Sequence, residues 1–299
     1  MIVRSVLTLA AAVVVLCAGA EPDGVAAQQA PSREATMFVS AVDEKGEPVA
    51  GLGPEAFVVT EDGRRREILR VSTATEPIDI ALIVDNSQAA AGAVTFLRES
   101  LGTFVATMAS KGNIAIITIA DRPTIAANYT SDPKRLADAA GRIFSMTQTG
   151  ATLLDAIIEA AQGQRKRETP RAAIVPIVTD GVEFTNRYSR DVVKALRDSR
   201  TALHIVTVGQ FYHDEEHSIR ERSFLIDAGP KESGGQRISL LNPMAIDTSL
   251  QRLARELSAQ YKVVYGRPQS LIPPEKIEVS SGKAGVTMRG APARGGNGA

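Results

Sequence analysis

Two aspartates, a serine and a threonine stand where this sequence could hold a metal ion. Asp85-Asn86-Ser87-Gln88-Ala89 directly follows the apolar run at 80–84, and Thr179-Asp180-Gly181 directly follows another at 173–178. Between them, Thr149-Gly150-Ala151-Thr152 leads into a stretch with helical apolar spacing. Asp85, Ser87, Thr152 and Asp180 offer carboxylate and hydroxyl oxygens, with no thiol or imidazole among them. Oxygen-only sets suit hard cations, so Mg²⁺ or Ca²⁺ is the expected ion, Mn²⁺ the next choice, and zinc or copper are disfavoured. The same side chains have an ordinary alternative use, because Asp, Ser and Thr commonly cap the helices and turns that follow strands.

A second pattern competes for the chemistry. His213-Asp214-Glu215-Glu216-His217 has the His-x-x-Glu-His spacing of inverted zinc peptidases, in which His213 and His217 hold the metal and Glu216 is the base. That chemistry also needs a third ligand and a cleft. The neighbours Tyr212, Ser218, Arg220, Glu221 and Arg222 read instead as a solvated face, so a zinc hydrolase is the weaker alternative. His204 lies in an apolar strand and is expected to be a hydrogen-bonded core residue, and Arg165-Lys166-Arg167 a solvated loop. No Gly-x-Gly-x-x-Gly follows a strand, and no Walker-type Gly-Lys-Ser/Thr or Gly-x-Ser-x-Gly elbow occurs. An aspartyl-phosphate phosphatase would want a second Asp two residues after Asp85, where Ser87 stands. The expectation is a protein that is not an enzyme.

The elements that must position these residues alternate between strand and helix. Continuous apolar runs at 80–84, 114–119, 173–178 and 202–208 are expected for strands covered on both faces, with a short edge strand at 124–129. Val94, Leu97, Leu101, Phe104, Val105 and Met108 share one helical face. Further helices are expected at 133–144, after the Asp132-Pro133 start, and at 153–162, 189–198 and 246–259. Pro176 must sit where no amide donor is required. The segment 211–222 is polar and carries no assignment, and a short strand is expected at 237–240. This alternation predicts an α/β fold with a doubly wound, mostly parallel sheet and helices on both faces. Such sheets bind ligands at the carboxyl ends of their strands, near the switch in strand order, which would bring the three polar loops to one rim.

At this point the sequence resembles a known family, the von Willebrand factor type A domain. That family's metal-ion-dependent adhesion site has the pattern Asp-x-Ser-x-Ser, a later loop Thr, and an Asp in a Thr-Asp-Gly context. Asp85 and Ser87 match the first two positions, Thr152 the third element and Asp180 the fourth. Ala89 departs from the pattern where the second serine belongs, removing one direct oxygen, for which a water or Gln88 could substitute. The flanks also resemble a bacterial exported subgroup, through Gly46 to Val49, Gly51-Leu52, Phe57 to Val59 and Glu61 to Gly63, and at the other end through Glu256-Leu257 and Gln260-Tyr261. The resemblance spans roughly residues 78–265. It implies divalent-cation-dependent protein binding or adhesion, in which a partner's carboxylate completes the ion's coordination. A structural or assembly module whose metal site has decayed through Ala89 is the alternative within the same fold.

The remaining organisation follows from composition. Residues 1–20 combine Arg4, an apolar run at 6–16 and small residues at Ala18-Gly19-Ala20, the pattern of a signal peptide cleaved after Ala20 or Ala27. An apolar run this short falls below the roughly 20 residues a membrane helix needs, so no integral span is expected in the mature chain, which would be periplasmic or secreted. Cys17 is the only cysteine and is preceded by Leu16, which disfavours lipidation. Residues 21–34 are expected as a flexible lead-in and 290–299 as a disordered tail. Strands near 37–42, 57–60 and 67–71 form a β unit over 35–75, close to the lower size limit for independent folding. Strands at 261–265, 276–279 and 285–289 are expected to complete this unit, with 266–289 packing against it. Lys+Arg and Asp+Glu are equal at 34 each and Trp is absent, which argues against nucleic acid as a partner. The oligomeric state is not encoded in any pattern of this kind.

Overall fold

The computed structural model describes residues 32–167, 169–211, 216–268 and 272–294. Its centre is a six-stranded sheet in the order β10-β9-β8-β5-β6-β7. These strands are β5 (Ile78–Val84), β6 (Gly112–Thr118), β7 (Thr124–Thr130), β8 (Arg171–Thr179), β9 (Ala202–Val208) and β10 (Gln236–Leu240). All pairings are parallel except that of β7, an antiparallel edge strand on β6. The chain enters at β5, builds outward to β7, then returns to the other side of β5 with β8. The switch in strand order therefore lies between β5 and β8, and sheets of this kind bind ligands outside the carboxyl ends of the strands at that point.

Six helices cover the two faces: α1 (Val94–Met108), α2 (Pro133–Gly141), α3 (Leu153–Arg165), α4 (Ser189–Ser199), α5 (His217–Ser233) and α6 (Ile246–Ser258). Strand alternation decides which side chain meets which layer. Ile80, Leu82 and Val84 face α1, α2 and α6, packing with Leu101, Phe104, Leu136 and Leu253. Ala81 and Ile83 face α3, α4 and α5, packing with Leu154, Ile157, Leu196 and Leu225. Both layers are dry, so β5 is apolar throughout except for Asp79. Pro176 falls at a break in the β8–β9 ladder, which pairs at Ile174 and resumes at Ile177, so its missing amide leaves no carbonyl of β9 waiting.

Two smaller antiparallel sheets combine strands from both sides of this domain. One has the order β13-β1-β11-β4, from β1 (Ser32–Val42), β4 (Ile68–Thr73), β11 (Tyr261–Pro268) and β13 (Thr287–Pro292). The other has the order β12-β2-β3, from β2 (Phe57–Glu61), β3 (Arg64–Arg66) and β12 (Ile277–Ser281). Met37, Val39, Phe57, Val59, Val263, Tyr265 and Met288 form their shared core. At its margin, buried Glu61 receives Arg66, Arg267 and the Tyr265 hydroxyl.

Several expectations need correction. Residues 32–34 are not lead-in but the start of β1, paired with 266–268 of β11. β11 joins the accessory sheet, as the strand expected at 261–265 was to do, so the α/β layers end before the bound of 265 drawn for them. Residues 290–294 are ordered: Gly290 and Ala291 pair with β1, and Arg294 donates to the Ser199 carbonyl at 2.7 Å. The tripeptide 165–167 is no solvated loop, because Arg167 reaches the fully buried Asp79 at 2.5 Å. Helix α5 was missed, for its first half is polar and Pro230 interrupts its last turn. The signal segment with Cys17, and the end of the tail from 295, lie outside the described residues.

Candidate metal centre

Strand β5 delivers Asp85 to this switch point, where it is completely buried. Its carboxylate is held from two directions. Oδ1 accepts the Ser87 amide at 2.9 Å, and Oδ2 accepts both the amide and the hydroxyl of Thr179 at the end of β8. Asn86 ties in a third segment, its Oδ1 accepting the amides of Ile119 and Ala120 at 3.1 and 2.9 Å. A fourth joins through Thr152, whose hydroxyl donates to the Ile119 carbonyl at 3.0 Å. The loops carrying Asp85, Ser87, Thr152 and Asp180 are thus one hydrogen-bonded rim.

Capping does not explain Ser87 or Thr152. Both sit at helix starts, yet neither side chain bonds a helical amide. Thr152 spends its proton on Ile119, which leaves its lone pairs directed elsewhere. The Ser87 hydroxyl is completely buried and has no hydrogen-bond partner. An orphaned buried hydroxyl costs about 1–3 kcal/mol, a cost that a bound cation would remove. Asp180 is the exposed member, its Oδ2 accepting the Gln210 amide at 3.3 Å. Two glycines allow these approaches. A Cβ on Gly181 would lie 2.4 Å from the Ala89 methyl and 3.6 Å from the Ser87 hydroxyl. Gly209, at φ +103°, lets the backbone pass the Asp180 carboxylate, which a Cβ there would meet at 2.8 Å. The oxygens present therefore fit a hard divalent ion, with Ser87 and Thr152 as hydroxyl donors and Asp85 and Asp180 supplying charge. Ala89 supplies no donor and packs its methyl against the Gly181 backbone.

Two charged residues at this rim escaped the sequence reading. Glu183, which the sequence reading did not single out, is 1% exposed with neither carboxylate oxygen hydrogen-bonded. Burial pushes its carboxyl up to about 8, against the opposing pull of Arg222 and the amides of Leu154 and Leu153, while Asp85 adds to the rise. Arg222, read from sequence as part of a solvated face, is buried. Its Nη1 donates to the Gly181 carbonyl, and its guanidinium lies 5.0 Å from the centre of the Phe211 ring. Burial pulls its pKa down, and Glu183, then Asp85, then Asp180 push it back. No local signal marks either residue, because their burial depends on where α5 lands.

The competing zinc pattern gains nothing here. His213 lies outside the described residues, His217 packs edge-on against Tyr188 with ring centres 5.0 Å apart, and Glu216 precedes α5. Among the described residues no group of three His, Cys, Asp or Glu side chains is arranged for a metal. His204 is buried in β9 without a hydrogen bond on either ring nitrogen, contrary to the expected bonded histidine.

Comparison with known proteins bears on the fold. Residues 79–224 match the von Willebrand factor type A domain, a shorter span than the 78–265 expected from sequence. No curated protein matches the chain significantly. Among solved structures, proximal thread matrix protein 1 from the mussel byssus is similar at a TM-score of 0.51 and 13% identity. That alignment covers 67% of this chain and 51% of the mussel protein, so the chain spans about half of its length. Another structure of the mussel protein, described as having a zinc-occupied MIDAS motif, aligns at a TM-score of 0.49 and 13% identity, covering 66% of this chain and 49% of that one. A von Willebrand factor type A protein from Catenulispora acidiphila aligns over 89% of this chain and 74% of its own, at a TM-score of 0.49 and 11% identity. Domains of this type are typically protein-binding modules and generally not enzymes. Residues 79–224 thus match the von Willebrand factor type A domain, and the strand order and switch point give this chain that fold.

Proposed function

We propose that this protein is a non-enzymatic, divalent-cation-dependent protein-binding module that works outside the cytoplasm. The observation that carries the reading is Ser87, a fully buried hydroxyl without a partner, set between Asp85 and the Asp180-Gly181 turn. Asp85, Ser87, Thr152 and Asp180 would hold Mg²⁺, Ca²⁺ or Mn²⁺, and the ion would offer an electrophilic position to a partner's carboxylate. Around this rim Phe144, Met146, Val182 and Phe184 are exposed. Large apolar side chains gathered at one edge suit a protein partner better than a small solute. Export is supported by the signal-like residues 1–20. Among the described residues no helix is long and apolar enough to cross a membrane.

Calorimetric titration with Mg²⁺, Ca²⁺ and Mn²⁺ tests the ion. One equivalent should bind to the wild type, and Asp180→Ala should lose it. Pull-down from envelope extract with and without chelator tests the partner, and capture indifferent to chelator and to Asp180→Ala would reject the reading. N-terminal sequencing of the protein recovered from cell fractions tests export, with new termini at Glu21 or Gln28 expected.

A second reading, a structural or assembly module without a working metal site, is favoured by the Ala89 methyl filling the place of a donor against Gly181. It predicts no ion uptake under the same titration.

A further inference from the structure

Among the described residues Arg222 is a buried guanidinium that bonds the backbone of the rim itself, and nothing in the metal-binding reading requires it. The side chain reaches from the second turn of α5 to the carbonyl of Gly181, the residue after Asp180. It is 4% exposed, lies over the Phe211 ring, and leaves its Nε without a hydrogen-bond partner. Burying a guanidinium this incompletely bonded is costly unless negative charge lies near. That charge comes from Asp85 and Asp180, which both act on it, while burial raises the Glu183 carboxyl beside it to about 8 and favours its neutral form. Gly181 also approaches the Ser87 hydroxyl, so Arg222 grips the same backbone turn that closes one side of the candidate metal site.

We propose that the Arg222 guanidinium is an internal counter-cation of this rim: it steadies the acidic loops when no ion is bound and competes electrostatically with a divalent ion. The inference rests on the metal site proposed above and adds the residue that sets its affinity. Like charges repel most where water is scarce, so a fixed guanidinium beside the site must weaken binding of a dication. The arrangement also connects the site to α5. A bound ion would make the Arg222 contact with Gly181 redundant and loosen the first half of that helix from the 180–184 loop.

The test is Mn²⁺ affinity and thermal stability of the full chain, each measured in chelator and in excess Mn²⁺. Arg222→Gln should bind Mn²⁺ at least about tenfold more tightly than the wild type. It should melt earlier than the wild type in chelator and regain most of the loss in Mn²⁺. Arg222→Lys keeps the charge without the fork, and should retain the weaker wild-type affinity. Should Arg222→Gln fail to fold, the double variant Arg222→Met, Glu183→Gln removes both buried ionisable groups together and should show the same tighter binding.

Wild-type Mn²⁺ binding that depends on Asp85 but is unchanged by loss of the Arg222 charge would overturn this inference and leave the metal site standing. A destabilisation equal in chelator and in Mn²⁺ would do the same, reducing Arg222 to a packing residue. A folded Arg222→Gln protein that takes up no Mn²⁺ at millimolar concentration would overturn the metal site itself.

Discussion

Strand β5 carries an aspartate at each end, and the two are treated differently. At the amino end, Asp79 is fully buried and meets a cation directly: Arg167 Nε lies 2.5 Å from Oδ2, Thr169 donates to the same oxygen at 2.6 Å, and Asn113 donates to Oδ1 at 3.0 Å. Burial alone would raise the Asp79 pKa, but the hydrogen bonds from Arg167, Thr169 and Asn113 outweigh it and hold the carboxyl below its ordinary value. Around it, Gln164 donates to the carbonyls of Asp79 and Ala173, Thr201 donates to Gln164, and Arg294 donates to Thr201. The Tyr129 hydroxyl alongside is left without a partner. At the carboxyl end, Asp85 also has three donors, yet two are backbone amides and the third is a hydroxyl. Among the described residues no ion pair reaches Asp85, and the nearby guanidinium of Arg222 bonds a carbonyl instead. A buried carboxylate with its own cation in contact is architecture. One whose counter-charge stands off and whose donors are amides and a hydroxyl fits the ion-binding role proposed for this rim.

Mutation of the two ends should separate these roles. The largest effect is expected at the amino end. Asp79→Ala leaves Arg167 and Asn113 without their acceptor and should cost about 3–5 kcal/mol by urea denaturation, equally with and without Mg²⁺. A cost that Mg²⁺ repairs would mean that the two ends are not distinct.

His204 checks whether an unpartnered buried group must imply a ligand. Burial pulls its pKa down from 6.5 to about 4, although Glu256 pulls the other way. Between those values the unfolded chain takes up a proton that the folded chain refuses, so stability is complete above pH 6.5 and falls as pH drops towards 4. The loss should approach about 3 kcal/mol, and His204→Leu should flatten that limb of the pH profile. An unchanged profile would show that another group titrates there.

At the carboxyl end the expected effects move from stability to binding. Asp180→Ala should weaken ion affinity by about tenfold or more, because it removes a charge from the site, while leaving the urea midpoint nearly unchanged. A large stability loss would place Asp180 with Asp79. The smallest effect belongs to Ser87→Ala, which deletes a buried hydroxyl that makes no bond. Removing that orphan should raise ion-free stability by about 1 kcal/mol, the lower end of its cost, with weaker ion binding as the opposing phenotype.

The sequence disclosed the parts of this design that are local. Apolar runs at β5, β8 and β9 announce strands covered on both sides, and polar residues directly after them fall at the carboxyl rim. Asp85, Ser87, Thr152 and Asp180 could be picked out for that reason. Arg222 and Glu183 could not, because a charged residue is normally exposed and only tertiary placement of α5 reverses that. Helix α5 itself was hidden by a polar first half and by Pro230. Likewise Arg167 looked like a solvated cation, and only the fold reveals that Asp79 waits beneath it. That strands from both chain ends share a β unit was legible, but the register of β1 on β11 was not, because antiparallel registry between distant segments leaves no periodic trace.

That pairing has a consequence for how the molecule is made. The Tyr261 hydroxyl donates to the Val49 carbonyl across 212 positions of chain, and β1 is flanked by β11 and β13. The earliest strands cannot complete their sheets during synthesis until the final ones emerge, so β1 and β4 must travel with bare edges while the type A domain assembles. Truncation before β11 should therefore yield a chain that aggregates rather than a smaller soluble protein.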